Sequence, residues 1–283
     1  MRFKKYKNFL KKIFILSITI FLFGCNNLII MNPKGIIAIK EKTLMITVML
    51  LMLTIVVPVI LMTLIFVFKY RESKNSSLYD PNWSDSKKIE LIIWIIPFFM
   101  ILFLANLTWK STHDLDPNKP IEPYKKYIRI QVISLDWRWL FIYPKQKIAT
   151  INELVFPKNT PIKFELTSNS VMNSFFIPGL GGQIYTMAGM NSVLNLMSNT
   201  KGIYKGMSSN FSGKGFSNMK FKVIVTKNTD IFNKWIKKVK LSSNYIKNIF
   251  DYEQISLPNE NTSIKYFSLV KDNLFQIVIK KFH

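Results

Sequence analysis

Two long runs without a charged residue constrain the fold of this chain more than any other feature. The first run, Thr43–Phe68, is 26 residues long, and the second, Leu91–Trp109, is 19 residues long. As α-helices these runs would be about 39 Å and 28 Å long, which is comparable to the hydrocarbon thickness of a bilayer, about 30 Å. The sequence therefore predicts a transmembrane hairpin with spans over about residues 43–68 and 90–109, within a segment that covers residues 25–115.

The loop between the two runs indicates their orientation. Lys69–Glu90 is short and carries five basic residues, Lys69, Arg71, Lys74, Lys87 and Lys88. Short loops rich in Lys and Arg remain in the cytoplasm, whereas long domains cross the membrane largely regardless of their charge. We therefore expect a bacterial inner-membrane protein whose long C-terminal part is periplasmic.

The N-terminus has the features of an export signal. A basic stretch that ends at Lys12 precedes the apolar run Ile13–Phe23, whose 11 residues are too few to span a bilayer. Gly24 and Cys25 follow, which resembles a bacterial lipoprotein signal. That resemblance implies that residues 1–24 are removed and that the thiol of Cys25, a nucleophile as thiolate, carries lipid. The alternative is a buried, inert cysteine in a first membrane helix.

From about residue 120 the apolar pattern changes to a period of two. Ile128, Ile130 and Val132 alternate with polar residues, and the alternation continues on the opposite parity from Leu135 to Tyr143. The change of phase near Ser134 predicts a β-bulge or a strand break. Further short alternating segments are separated by Gly and Pro. Residues 120–227 are therefore predicted to form an all-β sandwich or barrel.

Helical patterns return after this region. Asn228, Thr229 and Asp230 are N-cap candidates, and Ile231, Trp235 and Val239 follow with helical spacing. An aromatic-rich stretch surrounds Tyr245–Tyr252, and a further helix is predicted over Ser268–Lys280. Residues 228–283 are expected to be an aromatic-rich helical segment that covers a sheet edge or docks on a partner.

Composition excludes several classes of function. The net charge is +23, but only Arg2, Arg71, Arg129 and Arg138 are arginines, the residue best suited to bidentate phosphate recognition. The lysines are scattered apart from the N-terminal cluster, so no nucleic-acid partner is expected. A single cysteine and two histidines, His113 and His283, exclude intrachain disulfides, Cys/His zinc sites and a Ser–His–Asp triad in a folded domain.

Two motifs carry a family resemblance. The chain reads Asn-Ser-Phe-Phe-Ile-Pro over Asn173–Pro178, and Gly-Ile-Tyr-Lys-Gly-Met over Gly202–Met207, followed by Ser208 to Met219. This region resembles the cupredoxin domain of subunit II of the heme-copper terminal oxidases. In its cytochrome c oxidase members, the corresponding patterns HSFxIP and GxYxGxCxExCGxxHxxM hold a dinuclear copper centre. The resemblance thus implies a cupredoxin-like sandwich.

The copper ligands of that family are mostly replaced in this chain. Five of the six positions carry another residue: Asn173 and Phe216 stand at the two His positions, Ser208 and Ser212 at the two Cys positions, and Asn210 at the Glu position, which ligates through its carbonyl. Met219 alone matches. Since hydroxyls are poor copper ligands beside thiolates and Phe cannot coordinate, no metal is expected, and Met219 is predicted to pack in the core.

A copper-free subunit II resembles that of the cytochrome bo-type ubiquinol oxidases. Other parts of the chain agree with that branch: Cys25, Asp80–Ser84, Asp136–Trp139, Gly179–Gly181 and Tyr266–Ser268. The resemblance implies a proton-pumping respiratory complex that oxidises ubiquinol and reduces O₂ to water. Heme b, heme o and copper are then expected in the partner subunit I. This chain would contain no cofactor of its own, and its partners would be the other oxidase subunits and membrane lipid.

The resemblance also singles out a few residues outside the copper positions. A Glu at the place of Glu90 is proposed in the family to serve proton uptake, whereas a Glu in a first helical turn is also favoured by the helix dipole. Trp137 and Trp139 are expected to be core or interface aromatics, and His113 to lie at the membrane interface. A different class of function also remains open, a membrane-anchored periplasmic scaffold or binding lipoprotein with a β-sandwich domain.

Overall fold

The computed structural model describes residues 28–71, 85–121, 126–261 and 263–282. The chain divides into two units. Lys40–Asp116 forms one of them, and the described residues up to Ile39 join those from Pro117 onward in the other. The signal peptide predicted over residues 1–24, Cys25 and the Asp80–Ser84 loop lie outside the described residues.

Two long helices correspond to the two uncharged runs. Helix α1 spans Ile36–Lys69 and helix α2 spans Lys87–Asp114. Both are long and apolar enough to cross a membrane, and the apolar window of each is exposed. They are longer than predicted because the helical backbone continues into residues that flank each run, including charged ones such as Lys40 and Lys110. Pro58 and Pro97 are accommodated inside the helices, as is common in membrane segments.

Within the described residues, eleven strands form a β-domain. They are β1 (Ile128–Leu135), β2 (Arg138–Tyr143), β3 (Ile148–Ile151), β4 (Glu153–Pro157), β5 (Ile162–Ser168), β6 (Asn173–Phe176), β7 (Gln183–Thr186), β8 (Ser192–Leu196), β9 (Gly202–Ser208), β10 (Lys220–Thr226) and β11 (Lys265–Phe267). One sheet has the order β11-β3-β2-β1-β5-β8, and the other has the order β4-β10-β9-β6-β7. Strands β1 and β5 pair in parallel, as do β4 and β10. The predicted all-β sandwich is confirmed.

Aromatic side chains fill the space between the sheets. Trp139 of β2 and Phe175 of β6 are fully buried, and their ring centroids lie 5.4 Å apart. Phe175 stacks on Phe221 of β10 at 5.2 Å. A Cβ at Gly206 would lie 2.0 Å from the Phe221 ring, so only glycine fits there. Aromatic contacts thus join the two sheets.

The phase change near Ser134 is a strand break. Strand β1 ends at Leu135, and β2 returns from Arg138 after a tight turn in which Trp137 has a φ of 64°. The two strands pair antiparallel. Both faces of this hairpin are buried, since Ile133 and Leu140 belong to a second apolar cluster on the other side of the sheet.

The C-terminal region provides the cover for that second face. Helix α3 spans Thr229–Lys240, α4 spans Ile249–Ser256 and α5 spans Leu274–Lys280. The second apolar cluster includes Tyr252 of α4 and Phe275 and Val278 of α5. Helices α4 and α5 therefore cover the outer face of the six-stranded sheet, and β11 extends its edge beside β3.

Helix α3 begins as the sequence predicts. The side chain of Asn228 accepts a hydrogen bond of 3.2 Å from the amide of Ile231, which caps the helix. Phe232, Ile236 and Val239 join the core between the sheets. Because α3 contacts β3 of one sheet and β4 of the other, it closes the sandwich along one side.

The helix predicted over Ser268–Lys280 is wrong in its first half. Val270 instead forms a parallel bridge with Ile246, and Asn273 takes a left-handed φ of 60° before α5 begins at Leu274. In this bridge the backbone amides of Ile246 and Lys271 find carbonyl partners outside a helix. The spacing of apolar residues cannot reveal such a pairing between distant segments.

The segment before α1 is hydrogen-bonded to the β-domain. The amide of Lys34 donates to the carbonyl of Gly179 at 2.8 Å, and that of Ala38 donates to the carbonyl of Leu180 at 3.1 Å. A Cβ at Gly35 would lie 2.8 Å from the Leu180 carbonyl oxygen. Glycine is therefore required where this segment passes the Pro178–Gly182 loop.

Candidate functional site

Asn173 and Ser208 are brought together in the five-stranded sheet. Asn173 opens β6 and is fully buried, and Ser208 ends β9 and is nearly so. The hydroxyl Oγ of Ser208 lies 3.1 Å from Oδ1 of Asn173 and 3.2 Å from the carbonyl oxygen of Asn210, so it can donate to either. The Asn173 amide Nδ2 donates to the carbonyl of Val171 at 3.3 Å. The two residues satisfy each other without a metal.

The other positions that correspond to copper ligands in the family lie in the β9–β10 loop. The hydroxyl of Ser212 lies 3.9 Å from Sδ of Met219, and Met219 is fully buried in the core between the sheets. The prediction that Met219 packs in the core is confirmed. Phe216 lies in a short 3₁₀ turn and packs edge-to-face against Phe211, with ring centroids 5.6 Å apart. A phenyl contact thus occupies one imidazole position of the family.

Trp137 holds this loop against the β1–β2 turn. Its indole Nε1 donates to the carbonyl of Ser212 at 2.9 Å. A Cβ at Gly215 would lie 2.4 Å from the indole ring, so the loop backbone lies directly against the ring face. The sequence identified Trp137 as a core or interface aromatic, but nothing in it indicated this hydrogen bond.

The side chains at these positions do not fit a copper centre. They offer two hydroxyls, two amides and one thioether, and no thiolate or imidazole. Copper sites of this class depend on thiolate and imidazole ligands. In the part of the chain that the structure describes, there is also no group of three or more His, Cys, Asp or Glu side chains that could hold a metal ion.

A polar network continues from the site into the core. The hydroxyl of Thr186 lies 3.0 Å from Oγ of Ser134 and 3.3 Å from the carbonyl of Asn173, and both side chains are buried. Ser209 and Ser174 are joined by a hydrogen bond of 3.1 Å. These hydrogen bonds could not be predicted from the sequence, because single Ser and Thr residues in strands carry no distinctive signal.

Charged groups lie at the nearby β1–β2 turn. Asp136 accepts a hydrogen bond from the hydroxyl of Ser170. Arg138 donates through Nη2 to the carbonyls of Ile255, at 2.5 Å, and Leu257, at 3.0 Å, where α4 ends. Burial lowers the pKa of Arg138, while the negative charge of Asp136 acts to raise it. Arg138 thus attaches the C-terminal helices to the sandwich.

The remaining predicted residues are far from this site in the chain. Glu90 is exposed in the first turn of α2, and its amide donates to the carbonyl of Ser86 at 2.9 Å. His113 lies in the last turn of α2, where Nδ1 is 2.8 Å from the carbonyl of Trp109. Cys25 lies outside the described residues.

Two family profiles match the chain. One, described as the periplasmic domain of cytochrome c oxidase subunit II, covers residues 128–227. The other, described as the COX aromatic-rich motif, covers residues 249–283. The first corresponds to the β-sandwich, and the second begins with α4 and ends with α5.

Curated relatives match over nearly the full length. The chain is 52% identical to the cytochrome bo(3) ubiquinol oxidase subunit 2 of Buchnera aphidicola subsp. Baizongia pistaciae, over 99% of this chain and 97% of that protein. It is 48% identical to the protein of the same name from Pseudomonas aeruginosa, over 92% of this chain and 77% of that one. The ubiquinol oxidase subunit 2 of Acetobacter aceti is 46% identical, with 95% and 87% covered.

Proposed function

Because the chain belongs to the family of the cytochrome bo(3)-type ubiquinol oxidase subunits 2, we propose that it is the non-catalytic second subunit of a ubiquinol oxidase. In this complex, ubiquinol would be oxidised and O₂ reduced to water while protons move outward. The chain would contribute two membrane helices and a periplasmic domain. The hemes and copper that carry out the redox chemistry would belong to subunit I.

One observation carries the proposal that this domain relays no electrons. Asn173 and Ser208, which stand at a His and a Cys ligand position of the family, are hydrogen-bonded to each other at 3.1 Å inside the protein. A soluble electron donor requires an exposed relay outside the membrane, whereas ubiquinol dissolves in the bilayer and can deliver its electrons there. A folded domain without a redox centre is therefore consistent with a membrane-soluble donor.

The same family membership supports a structural role for the domain. An apolar core between the sheets and a second cluster under the C-terminal helices give a rigid body that does not depend on a bound group. The two helices, Ile36–Lys69 and Lys87–Asp114, expose apolar side chains that require lipid or another membrane subunit. Loss of the chain should therefore impair oxidase assembly more than heme chemistry.

Three finer points belong to this proposal. The lipoprotein-like sequence that ends at Gly24 and Cys25 supports acylation of Cys25 and anchoring at the outer side of the inner membrane. The basic loop supports a periplasmic C-terminal domain. Glu90, an exposed acid at the start of α2, is proposed to assist proton uptake from the cytoplasmic side, since acids at a membrane edge can feed a buried proton path.

Purification of the complex tests the proposed function. A tagged form of this chain should co-purify with heme and with ubiquinol-dependent O₂ reduction. Recovery of the intact chain without heme, from membranes that contain active oxidase, would instead favour a scaffold or binding lipoprotein.

A further inference from the structure

A continuous part of the β-domain contains no acidic residue. Between Glu165 and Asp230 the sequence has six lysines and no Asp or Glu. This stretch forms β6 to β10, which include four of the five strands of the smaller sheet. These four strands therefore carry no negative side chain, and the only acid on a strand of that sheet within the described residues is Glu153 of β4.

The strands place three of these lysines, Lys205, Lys220 and Lys222, on the outer face of the sheet. On β9, Ile203 and Lys205 are exposed, whereas Gly206, on the opposite face, is buried. On β10, Lys220 and Lys222 are exposed, whereas Phe221 is 3% exposed. One face of these two strands thus packs in the core, and the opposite face carries the charges.

Two of these lysines face each other directly. Lys205 and Lys222 are cross-strand partners in the antiparallel pair of β9 and β10. Like charges in this arrangement are destabilising. In the described part of the chain, neither makes an ion pair with an acid. Glu153, the register partner of Lys222 on β4, is 4% exposed and accepts hydrogen bonds from Trp235 and Tyr266 instead.

Apolar side chains accompany the lysines on this face. Ile203 is 67% exposed. It lines a groove of about 360 Å³ together with Lys205 and with residues of the segment before α1, among them Leu28, Ile29 and Lys34. The ammonium of Lys34 donates a hydrogen bond of 2.7 Å to Oδ1 of Asn32, within the same segment. Exposed aliphatic groups between lysines, with no acid among them, are typical of surfaces that contact anionic lipid.

The segment that lines the groove also leads into a membrane helix. Leu28 to Gly35 directly precede α1, and the first turn of α1 is hydrogen-bonded to the β-domain. This face is therefore continuous in sequence with a helix that is long and apolar enough to cross a membrane. Continuity of the chain favours a lipid surface over a soluble acidic partner.

We propose that the outer face of β9 and β10, together with the segment Leu28–Gly35, binds the anionic headgroups of the surrounding membrane. We refer to it as the lysine face. The lysines would attract lipid phosphates, and Ile203, Leu28 and Ile29 would contact the interfacial region. This contact is separate from the oxidase assembly proposed above, because it requires only the chain and its lipid.

Fluorescence quenching by lipid tests this proposal. The full chain, with Cys25→Ala and Ile203→Cys, is labelled with bimane and placed in nanodiscs that contain a fixed fraction of a phosphatidylcholine with a nitroxide headgroup. The bulk lipid is either phosphatidylglycerol or phosphatidylcholine. A second labelled form, Leu269→Cys, places the probe near the C-terminal helices as a control; Leu269 is 41% exposed.

We expect stronger quenching at residue 203 than at 269 in phosphatidylglycerol discs. Lys34→Gln, Lys205→Gln and Lys222→Gln together should weaken the interaction by more than about fivefold, the factor that one lysine near an anionic surface is worth. High salt should have the same effect, because it screens surface charges.

A matched triple variant controls for net charge. Lys234, Lys237 and Lys240 are exposed on α3, and their replacement by Gln removes the same charge elsewhere, so quenching at residue 203 should persist. Equal quenching at residues 203 and 269, or no dependence on lipid charge, would overturn the proposal. Loss of quenching at residue 203 on assembly with the oxidase would also overturn it, since a protein partner would then cover the lysine face.

Discussion

The hydroxyl of Tyr266 donates a hydrogen bond of 2.8 Å to the carboxylate of Glu153, which is 4% exposed. The same carboxylate oxygen accepts from the indole of Trp235 at 3.0 Å. Tyr266 lies on β11, within the aromatic-rich C-terminal region, while Trp235 lies on α3 and Glu153 on β4. One buried carboxylate therefore joins three separate segments of the domain.

Removal of this hydroxyl should lower the stability of the domain. Tyr266→Phe takes away a hydrogen bond to a buried charged group, which should reduce the free energy of unfolding by about 1.5–3 kcal/mol. Urea unfolding of the full chain in detergent, followed by tryptophan fluorescence, measures it. Tyr185→Phe is the matched control, because Tyr185 is 47% exposed and its replacement should change stability by less than about 0.5 kcal/mol. Equal effects of the two substitutions would contradict the role of this contact.

The same residue predicts a loss of stability at high pH. Burial, with the hydrogen bond and the negative charge of Glu153, raises the pKa of Tyr266 from 10.0 to about 12. Burial also raises the pKa values of Tyr143 and Tyr252. The folded protein then holds protons that the unfolded chain loses, so stability is complete below pH 10 and falls as pH rises toward 12. Unfolding midpoints measured across this window should fall less steeply in Tyr266→Phe; an identical slope would refute the assignment.

Glu90→Gln should lower quinol oxidase turnover. The substitution keeps the shape of the side chain and removes the titrating group at the start of α2. We expect a decrease of up to about tenfold, which corresponds to about 1.4 kcal/mol in the barrier, with a normal heme spectrum. Glu253→Gln, in the exposed part of α4, is the control and should leave turnover unchanged. If Glu90→Gln shows wild-type turnover at every pH, Glu90 has no role in proton uptake and only stabilises the start of α2 through the helix dipole.

Mass spectrometry of the purified subunit tests the lipid anchor. The mature chain should begin at Cys25 and carry the added mass of acyl chains. Cys25→Ala should remain in the membrane fraction, because two membrane helices anchor a protein far more strongly than acyl chains do. Detection of an intact Met1 in the wild-type protein would rule out cleavage.

The sequence predicted helices and strands correctly where apolar residues form a continuous run or occupy one face of the element. The two uncharged runs became α1 and α2, and Asn228 caps α3 as expected. It could not predict Trp137 in a left-handed turn, because bulky residues rarely take a positive φ. The extent of α1 was also missed, since its first residues are fixed by hydrogen bonds to the distant Leu180 and Met197.

For the candidate site, the sequence predicted which residues lie in one region but not which of them contact each other. The motif spacing placed Asn173, Ser208 and Met219 in one region, and the structure brings Ser208 to both Asn173 and Asn210. The loop contact of Trp137 with Ser212 depends on Gly215, where a Cβ would strike the indole. Such contacts depend on tertiary packing between distant segments, and residue spacing along one chain does not encode them.

Restoring the copper ligands provides a gain-of-function test of the site. Asn173→His, Ser208→Cys, Ser212→Cys and Phe216→His together, with Asn210 left to offer its carbonyl, recreate the family's ligand types beside Met219. Copper–thiolate bonding gives such centres their visible absorption, so we expect the variant to bind copper and become coloured. The variant with only the two Ser→Cys changes lacks imidazole and should bind copper more weakly.

The absence of a copper centre can be measured directly by metal analysis of the purified, unmodified full chain after exposure to excess copper and dialysis. We expect no bound copper and no visible absorption, because hydroxyls, amides and a single thioether replace the thiolates and imidazoles of the family. Two tightly bound copper ions per chain would show that these side chains can hold a copper centre. This result would contradict the proposal that the β-domain relays no electrons.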